Sequence, residues 1–330
     1  MPVVPESGDA EVPDQFLGLL RARPCPLCGS TDDAQVFATA HLDGPSPDRY
    51  TFASRKRPEL LRLRLVCCPT CDLVYASPVP AAEVLAEAYR DAAFDAAAES
   101  REAARTYIAA LGDLLPTLPD REGALDVGTG DGAFLGELLD AGFSRVGGIE
   151  PSTAPITGAE ARLAGLIEHG VFRADVRPAG SLSLVTCFQT IEHVPDPAEL
   201  ARDATRLLKP GGIMAIVCHD RRAAVNRLLG LRSPIVDVEH QQLFSPASVT
   251  RLLRGAGLMD VGHRTIRNRY PLRYWARLAP LPRRASELVE RGLDRAGLGD
   301  RPLSLPVGNL LAWGRRAHQA TGPGIRSGDG

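Results

Sequence analysis

The sequence is short of lysine: Lys56 and Lys209 are the only two among 330 residues, so nearly all positive charge is arginine. We attribute this shortage to the composition of the coding genome. The formal net charge of −2 excludes a strong overall field that would recruit nucleic acid or anionic membranes. The charge is uneven, because the stretch from residue 251 onward holds 15 arginines and six acidic residues. That stretch predicts either a solvated basic face or a site for an anionic substrate group.

Long apolar segments are also lacking. The first 20 residues contain no apolar core of a secretory signal, and no run of 18 apolar residues predicts a transmembrane helix. Seven cysteines without a secretion signal indicate a reducing compartment, so we expect a cytoplasmic protein. Residues 1–19 are predicted to be a disordered acidic lead-in, and residues 321–330 a disordered glycine-rich tail.

Two cysteine pairs have the spacing of metal-binding knuckles. They lie in "RPCPLCGS" and "LVCCPTCDLVYASP" and consist of Cys25, Cys28, Cys68 and Cys71. Each C-x₂-C pair can direct two thiolates at one tetrahedral ion, which predicts a structural zinc in a zinc-ribbon-like module over residues 20–80. Disulfides and unliganded core thiols are the alternatives. Cys67 is the spare thiol, whereas Cys187 and Cys218 fall in apolar runs and are expected to be small buried residues.

The pattern of apolar residues changes along the chain. Residues 81–120 are alanine- and glutamate-rich, with helical spacing, and predict a helical connector. Over residues 121–220, short apolar runs alternate with segments of helical pattern, which predicts a parallel sheet of βαβ units and an α/β fold. Residues 221–320 are expected to complete this core and to form a lid over the substrate.

A glycine-rich loop follows the first strand of the predicted sheet. In "ALDVGTGDGAFL" an acid, Asp126, is followed by glycines at alternate positions, beginning with Gly128 and Gly130. Such glycines permit a tight turn and the close approach of a ligand to the main chain. Glu150 ends the next strand, where a carboxylate can accept both hydroxyls of a ribose. The combination predicts a nucleoside-containing ligand, and a ligand-free tight turn is the alternative.

The loop D-x-G-x-G-x-G resembles motif I of the class I S-adenosylmethionine-dependent methyltransferases. The words "EHVPDP" and "LKPGG" are similar to that family's stretch between its fourth and fifth strands. The resemblance implies a Rossmann-like sheet that binds S-adenosylmethionine across residues 121–220. It further implies contacts to the methionine part, the ribose, the adenine and the methyl side. The residues concerned are, in that order, Asp126, Gly128 and Gly130; Glu150; Phe172 or Asp175; and Gln189.

A zinc-binding module in front of such a core resembles bacterial small-molecule methyltransferases, among them sugar C-methyltransferases. Their Glu-His pair, implicated in deprotonating the sugar carbon, is matched here by Glu239 and His240, although Asp237 stands where that family has tyrosine. His193 is a second candidate base, because it follows the fourth strand at the ligand-binding edge of the sheet. Each histidine has a purely structural alternative.

The resemblance therefore implies methyl transfer to carbon or oxygen of a small-molecule acceptor, a sugar, glycan precursor or natural product, with a histidine as general base. A zinc-containing RNA methyltransferase is the runner-up. Nucleic-acid binding is disfavoured, because the basic cluster Arg55, Lys56 and Arg57 has little aromatic interleaving. A non-catalytic scaffold is a third possibility, which the intact glycine loop argues against.

Overall fold

The computed structural model describes residues 20–31, 33–42, 61–90, 92, 94, 97–278 and 283–318. The predicted lead-in, the tail and the basic cluster at 55–57 lie outside these ranges. Within them the strands are β1 (Gln35–Ala38), β2 (Leu65–Cys67), β3 (Val74–Ala76), β4 (Ala124–Val127), β5 (Val146–Glu150), β6 (Ile167–His169), β7 (Leu182–Phe188), β8 (Leu208–His219), β9 (Gln242–Leu243), β10 (Leu258–Pro271) and β11 (Pro302–Arg316). The α-helices are α1 (Ala82–Arg90), α2 (Ala97–Ala110), α3 (Ala133–Asp140), α4 (Thr153–Thr157), α5 (Ala161–Ala164), α6 (Pro197–Leu207), α7 (Ala224–Leu229), α8 (Pro246–Gly255), α9 (Leu272–Leu278) and α10 (Arg283–Arg295).

The predicted parallel sheet is present, and it has seven strands in the order β10-β11-β8-β7-β4-β5-β6. Strands β4 to β8 run parallel to one another, whereas β11 is antiparallel to both β8 and β10. Every residue of β4 and β7 is buried, as expected for strands covered by helices on both faces. Buried side chains of α2 and α3 pack on one face of the sheet, and those of α6 and α8 pack on the other.

The topology places a ligand crevice beside β4. From β4 the chain moves outward through β5 to β6, and then it crosses back to β7 on the opposite side of β4. This is the point at which the strand order reverses, and open α/β sheets bind ligands there, beyond the carboxyl ends of the strands. The glycine loop after β4 and the segment after β7 both reach this edge.

N-terminal capping residues and prolines mark the first turns of two helices that flank the crevice. Asp196 accepts a hydrogen bond from the main-chain N–H of Glu199 at 2.7 Å, and Pro197 occupies the first turn of α6. Ser245 and Ser248 form a capping box at the start of α8, again with a proline in the first turn. The segment "SPASVTRLLRGAG" therefore forms a capped helix.

The cysteine-bearing segment forms a separate four-stranded sheet in the order β1-β2-β3-β9. Its last strand comes from far along the chain, because β9 pairs with β3. Arg23 strengthens the junction: its guanidinium donates to the carbonyl oxygens of Ala76, Pro195 and Gln241, each at 3.0 Å. Within the ranges given above, no helix is both long and apolar enough to cross a membrane.

Candidate functional site

A cavity of about 1350 Å³ opens at the carboxyl edge of the large sheet. It contains every predicted site residue other than the cysteines. These are Asp126, Gly128, Gly130, Glu150, Phe172, Asp175, Gln189, His193, Glu239 and His240. The fold thus brings together residues that are spread over more than one hundred positions of the sequence.

The glycine loop forms one wall of the cavity. Gly128 and Gly130 have φ angles of +73° and +59°, in the left-handed region that favours glycine. A Cβ at Gly128 would lie 2.2 Å from Oγ1 of Thr190, so the turn after β4 packs directly on the segment after β7. A Cβ at Gly130 would meet nothing within 4 Å, so this part of the main chain faces open space. A ligand can therefore approach the main chain at Gly130.

Glu150 is held in place at the end of β5. One carboxylate oxygen accepts from the main-chain N–H of Gly130 at 2.8 Å, and the other accepts from that of Ser152 at 2.9 Å. Burial raises the pKa of this carboxyl, while the two main-chain donors oppose that rise. The hydrogen bonds fix the carboxylate against the glycine loop, where its remaining lone pairs can accept from a diol.

The carboxyl group of Asp126 is buried beneath the glycine loop. It is 3% exposed and accepts a hydrogen bond from Oγ1 of Thr186 at 2.6 Å. Burial raises its pKa to about 7, so a nearby cation would favour the ionised form.

The loop holds a second acid that sequence reasoning missed: Asp131 accepts from Oγ of Ser100 at 2.7 Å and from the N–H of Ala133 at 3.2 Å. Asp131 thus links α2 to the start of α3.

The two predicted adenine residues differ in setting. Phe172 is half-buried and packs against the core, whereas Asp175 is exposed and forms an ion pair with Arg173 at 3.2 Å.

Gln189, the predicted residue of the methyl side, has φ of +52° directly after β7. Its buried Nε2 has no hydrogen-bond partner among the described residues. A buried amide donor without a partner fits a site that is completed by a ligand.

Three histidine rings meet at the opposite end of the cavity. The ring of His240 lies 4.8 Å from that of His193 and 5.3 Å from that of His219, measured between centroids. His219 ends β8, and sequence reasoning missed it. Its one usable signal is that it ends a strand of the parallel sheet, at the edge where ligands bind.

Each of the three rings has Nδ1 beside an oxygen. The partner is the carbonyl of Glu239 for His193 at 3.0 Å, that of Ile235 for His240 at 3.0 Å, and Oδ1 of Asn309 for His219 at 2.8 Å. An amide or peptide oxygen can only accept, so Nδ1 carries the proton and Nε2 carries the lone pair of each neutral ring. Burial lowers the pKa of both His193 and His219 to about 4, which keeps these two neutral at pH 7.

Both members of the predicted Glu-His pair are held by hydrogen bonds to other parts of the chain. Glu239 reaches the histidines through its main-chain carbonyl, which accepts from Nδ1 of His193 and from the Tyr89 hydroxyl at 3.1 Å. His240 is instead oriented by Ile235, five residues earlier. Asp237 accepts from the next residue's N–H at 2.7 Å and lies buried in the same turn.

Part of the wall beyond the histidines is apolar and aromatic, while the amide side chains of Asn226, Asn268 and Asn309 line the cavity as well. The apolar and aromatic members come from α7, α9 and β11: Val225, Leu229, Tyr274, Trp275, Leu305 and Val307. Tyr274 stacks at a tilt on Tyr270 with centroids 4.2 Å apart, and Trp275 donates from Nε1 to the carbonyl of Leu303 at 2.8 Å.

Arg173, at the adenine end, is the one Lys or Arg side chain among the described residues of the cavity wall. Among the described residues no arginine from position 251 onward lines the cavity, so the anionic-substrate alternative gains no support.

The four predicted metal ligands form one cluster. Their Sγ atoms all lie within 4.8 Å of one another, with Cys25 3.5 Å from Cys71 and Cys28 3.6 Å from Cys68. Tetrahedral zinc with Zn–S bonds near 2.3 Å needs sulfurs about 3.8 Å apart, and disulfide sulfurs would be only about 2.05 Å apart. The donor set therefore fits a zinc ion and does not fit disulfides.

The turns around the cluster are those of metal knuckles. The N–H of Gly29 donates to the carbonyl of Cys25 at 2.8 Å, and the N–H of Asp72 donates to that of Cys68 at 3.1 Å. Cys67 stands outside the cluster, and burial raises the pKa of its thiol. Cys187 and Cys218 are fully buried in β7 and β8, as expected.

The sheet order, the glycine loop and the carboxylate ending β5 together define a Rossmann-like class I methyltransferase fold. Residues 99–262, about half of the chain, match the family model described as a methyltransferase domain. The chain therefore carries an S-adenosylmethionine-dependent methyltransferase domain of class I, as the sequence motifs predict.

The chain is similar to ubiquinone biosynthesis O-methyltransferases. It is 33% identical to that of Marinobacter nauticus over 153 residues, which are 41% of this chain and 63% of the relative. It is 40% identical to that of Sodalis glossinidius over 98 residues, 27% of this chain and 37% of the relative. The chain thus spans less than two thirds of the length of these curated relatives. A solved S-adenosylmethionine-dependent methyltransferase from Thermotoga maritima, described as a possible histamine N-methyltransferase, is 22% identical and covers 66% of this chain and 90% of its own, with a TM-score of 0.42.

Proposed function

We propose that the protein transfers the methyl group of S-adenosylmethionine to a hydroxyl oxygen of a small, largely apolar acceptor. One observation carries the proposal: a single cavity joins the Gly130–Glu150 corner to a cluster of three histidines and to apolar and aromatic side chains. The similarity to O-methyltransferases of ubiquinone biosynthesis favours oxygen over carbon as the site of methylation.

In this proposal the donor lies along the glycine loop. Glu150 accepts from the ribose hydroxyls, Asp126, Gly128 and the open main chain at Gly130 receive the methionine part, and Phe172 or Asp175 lies beside the adenine. Gln189 faces the methyl side, where its unpartnered amide donates to the ligand. The bound donor supplies a sulfonium methyl group, and the protein has to place a nucleophilic oxygen in line with it.

The charge and polarity of the residues lining the cavity indicate which class of acceptor can bind. A nucleotide-linked sugar or an RNA strand brings phosphates, which Lys and Arg side chains commonly bind, yet Arg173 alone among the described wall residues supplies such a charge. A free sugar presents hydroxyls on every side, and those that face the aliphatic side chains of the wall would lack partners, which disfavours a sugar relative to a less polar acceptor. An apolar molecule with one or two hydroxyls, such as a phenol, satisfies both conditions.

The histidines provide the acceptors for that hydroxyl. His240 is the proposed base, because its Nδ1 is held by Ile235 and Nε2 carries the lone pair that can accept the proton. His193 and Glu239 hold the neighbouring turn together through the bond from Nδ1 to the main-chain carbonyl. The cysteine cluster is proposed to hold a structural zinc, with Cys25, Cys28, Cys68 and Cys71 as its four ligands, and it takes no part in the chemistry. The cytoplasmic location stays a prediction.

An acceptor panel tests the proposal. Purified protein with labelled S-adenosylmethionine should methylate members of a series of apolar phenols and catechols, and mass spectrometry should place the methyl group on oxygen. Nucleotide sugars and short RNA hairpins should give no product above that of a Glu150→Ala variant. Methylation of a nucleotide sugar or of RNA, with the phenols inert, would overturn the assignment of the acceptor.

A further inference from the structure

Asp72 directly follows the cysteine cluster and connects it to later segments of the chain. Its φ of +64° lies in the left-handed region, which turns the residue out of the knuckle. The carboxylate accepts from Nε and Nη2 of Arg222 at 2.9 and 2.6 Å and from Oγ of Ser245 at 2.6 Å. It also pairs with Arg221, whose Nη2 donates to the Asp72 main-chain carbonyl at 2.9 Å. We call this set of contacts the Asp72 clamp.

The Asp72 clamp holds the segment that leaves the cavity. Arg221 lies two residues beyond His219, the last residue of β8. The intervening Asp220 donates its main-chain N–H to the carbonyl of Gly308 at 2.7 Å, and that of Arg221 donates to Phe244 at 2.9 Å. From the carboxylate of Asp72 to the ring of His219 the path therefore runs through two short, hydrogen-bonded peptide units.

His219 is also held by other contacts, since it pairs with Asn309 across β8 and β11. Its main-chain N–H donates to the buried carboxyl of Glu192 at 2.6 Å, and its ring donates to Asn309 at 2.8 Å. The ring of His219 in turn packs edge-on against that of His240. A shift of the chain at Arg221 would thus be passed to both rings.

Loss of the carboxylate would leave the arginines in an unfavourable state. The side chain of Arg221 is only 11% exposed, and its Nε has no hydrogen-bond partner among the described residues. Charge-assisted bonds to Asp72 stabilise this guanidinium where it is buried. Without them a buried cation lacks its counter-charge, so the segment is expected to move to bring Arg221 toward water.

We propose that Asp72 is a positioning residue: it couples the folded cysteine cluster to the placement of His219 and His240 in the acceptor half of the cavity. The kinetic part of this proposal rests on the proposed function, while its structural part does not. The donor half is formed by β4, β5 and the glycine loop, which the Asp72 clamp does not touch. Donor binding should therefore be independent of it.

The test compares Asp72→Asn with a matched control, Asp113→Asn. Asp113 also forms an ion pair with both terminal nitrogens of an arginine, Arg264, but it lies outside the cavity wall. In Asp72→Asn the imidazole signals of His219 and His240 in long-range ¹H–¹⁵N NMR should shift or broaden, each assigned by its loss in a His→Gln variant. The dissociation constant for S-adenosylhomocysteine and the zinc content should stay within about twofold of wild type. Turnover should fall about ten- to a hundredfold, as expected for misplacement near 1 Å.

Asp113→Asn should match wild type in all four measurements. Arg222→Ala removes only the exposed arginine of the clamp, so it should fold and change the same NMR signals by a smaller amount. Histidine signals in Asp72→Asn and Arg222→Ala that match those of Asp113→Asn would overturn the proposal. If no acceptor is turned over by wild type, the proposed function fails, while the NMR and calorimetric results still decide whether Asp72 positions the histidines.

Discussion

Replacement of Glu150 by alanine should abolish useful affinity for the methyl donor. In the folded protein this carboxylate is 7% exposed and is fixed by the main-chain N–H groups of Gly130 and Ser152, at 2.8 and 2.9 Å. Each oxygen keeps a second lone pair for a ligand hydroxyl. The substitution removes both acceptors at once and releases the glycine loop from β5.

The size of the effect follows from the number of bonds. A hydrogen bond to a charged group contributes about 1.5–3 kcal/mol, so two bonds to a ribose diol contribute about 3–6 kcal/mol. The dissociation constant should therefore rise by roughly 10² to 10⁴. Glu150→Gln should weaken donor binding almost as much. Its amide –NH₂ would have to face one of the two main-chain N–H groups, and two hydrogen-bond donors cannot pair with each other.

Calorimetry with S-adenosylhomocysteine measures this change directly. Glu168→Gln is a suitable control, because Glu168 lies on the adjacent β6 but is exposed and pairs with Arg177. The control should bind within about twofold of wild type, and circular dichroism should show all variants folded. A Glu150→Ala protein that binds within threefold of wild type would refute the placement of the ribose at this carboxylate.

Three further predictions concern the cysteines, the buried acid and the base. Wild type should contain about one zinc per chain by metal analysis; Cys68→Ala should lose it and Cys67→Ala should keep it, and equal metal content in the two variants would contradict the ligand set. Burial raises the pKa of Glu192 to about 7 from 4.5, so the stability linked to its protonated form is complete below pH 4.5 and is lost as the pH rises to 7. Glu192→Gln cannot ionise and should gain up to about 3 kcal/mol on wild type between pH 5 and 8 in urea unfolding; parallel pH profiles would argue against this. His240→Ala should leave donor affinity unchanged and lower turnover about 10²- to 10⁴-fold, whereas full activity would remove His240 as the base.

The donor half of the cavity could be read from the sequence because its signals are local. Asp126, Gly128 and Gly130 lie within five positions, and the turn they form requires φ angles that glycine alone adopts easily. Glu150 follows one βαβ step later, at a place fixed by the alternation of strands and helices. The cysteine cluster was also predictable, since each knuckle needs only a C-x₂-C pair and a turn.

The sequence named His193, Glu239 and His240, but the rest of the acceptor half could not be read in this way, because its residues meet only through long-range packing. His219 reaches His240 across the sheet edge, and the bond that orients His219 comes from Asn309 in β11, 90 residues away. The contact from Asp72 to Arg221 spans 149 residues. Neither of these long-range contacts produces a residue spacing that a sequence pattern could reveal. The basic stretch after residue 251 likewise gave two alternatives that only the position of its arginines could separate.

The pairing of β9 with β3 has a consequence for the order of events during synthesis. All four cysteines and strands β1 to β3 leave the ribosome early, yet Gln242 and Leu243, which complete that sheet, follow only after the whole donor-binding core. At translation rates of about 5–20 residues per second, the edge of β3 waits roughly 10–30 s for its partner. During that interval the exposed edge invites pairing with other chains. Early capture of a metal ion by the two knuckles would keep the nascent N-terminal segment compact until its last strand arrives.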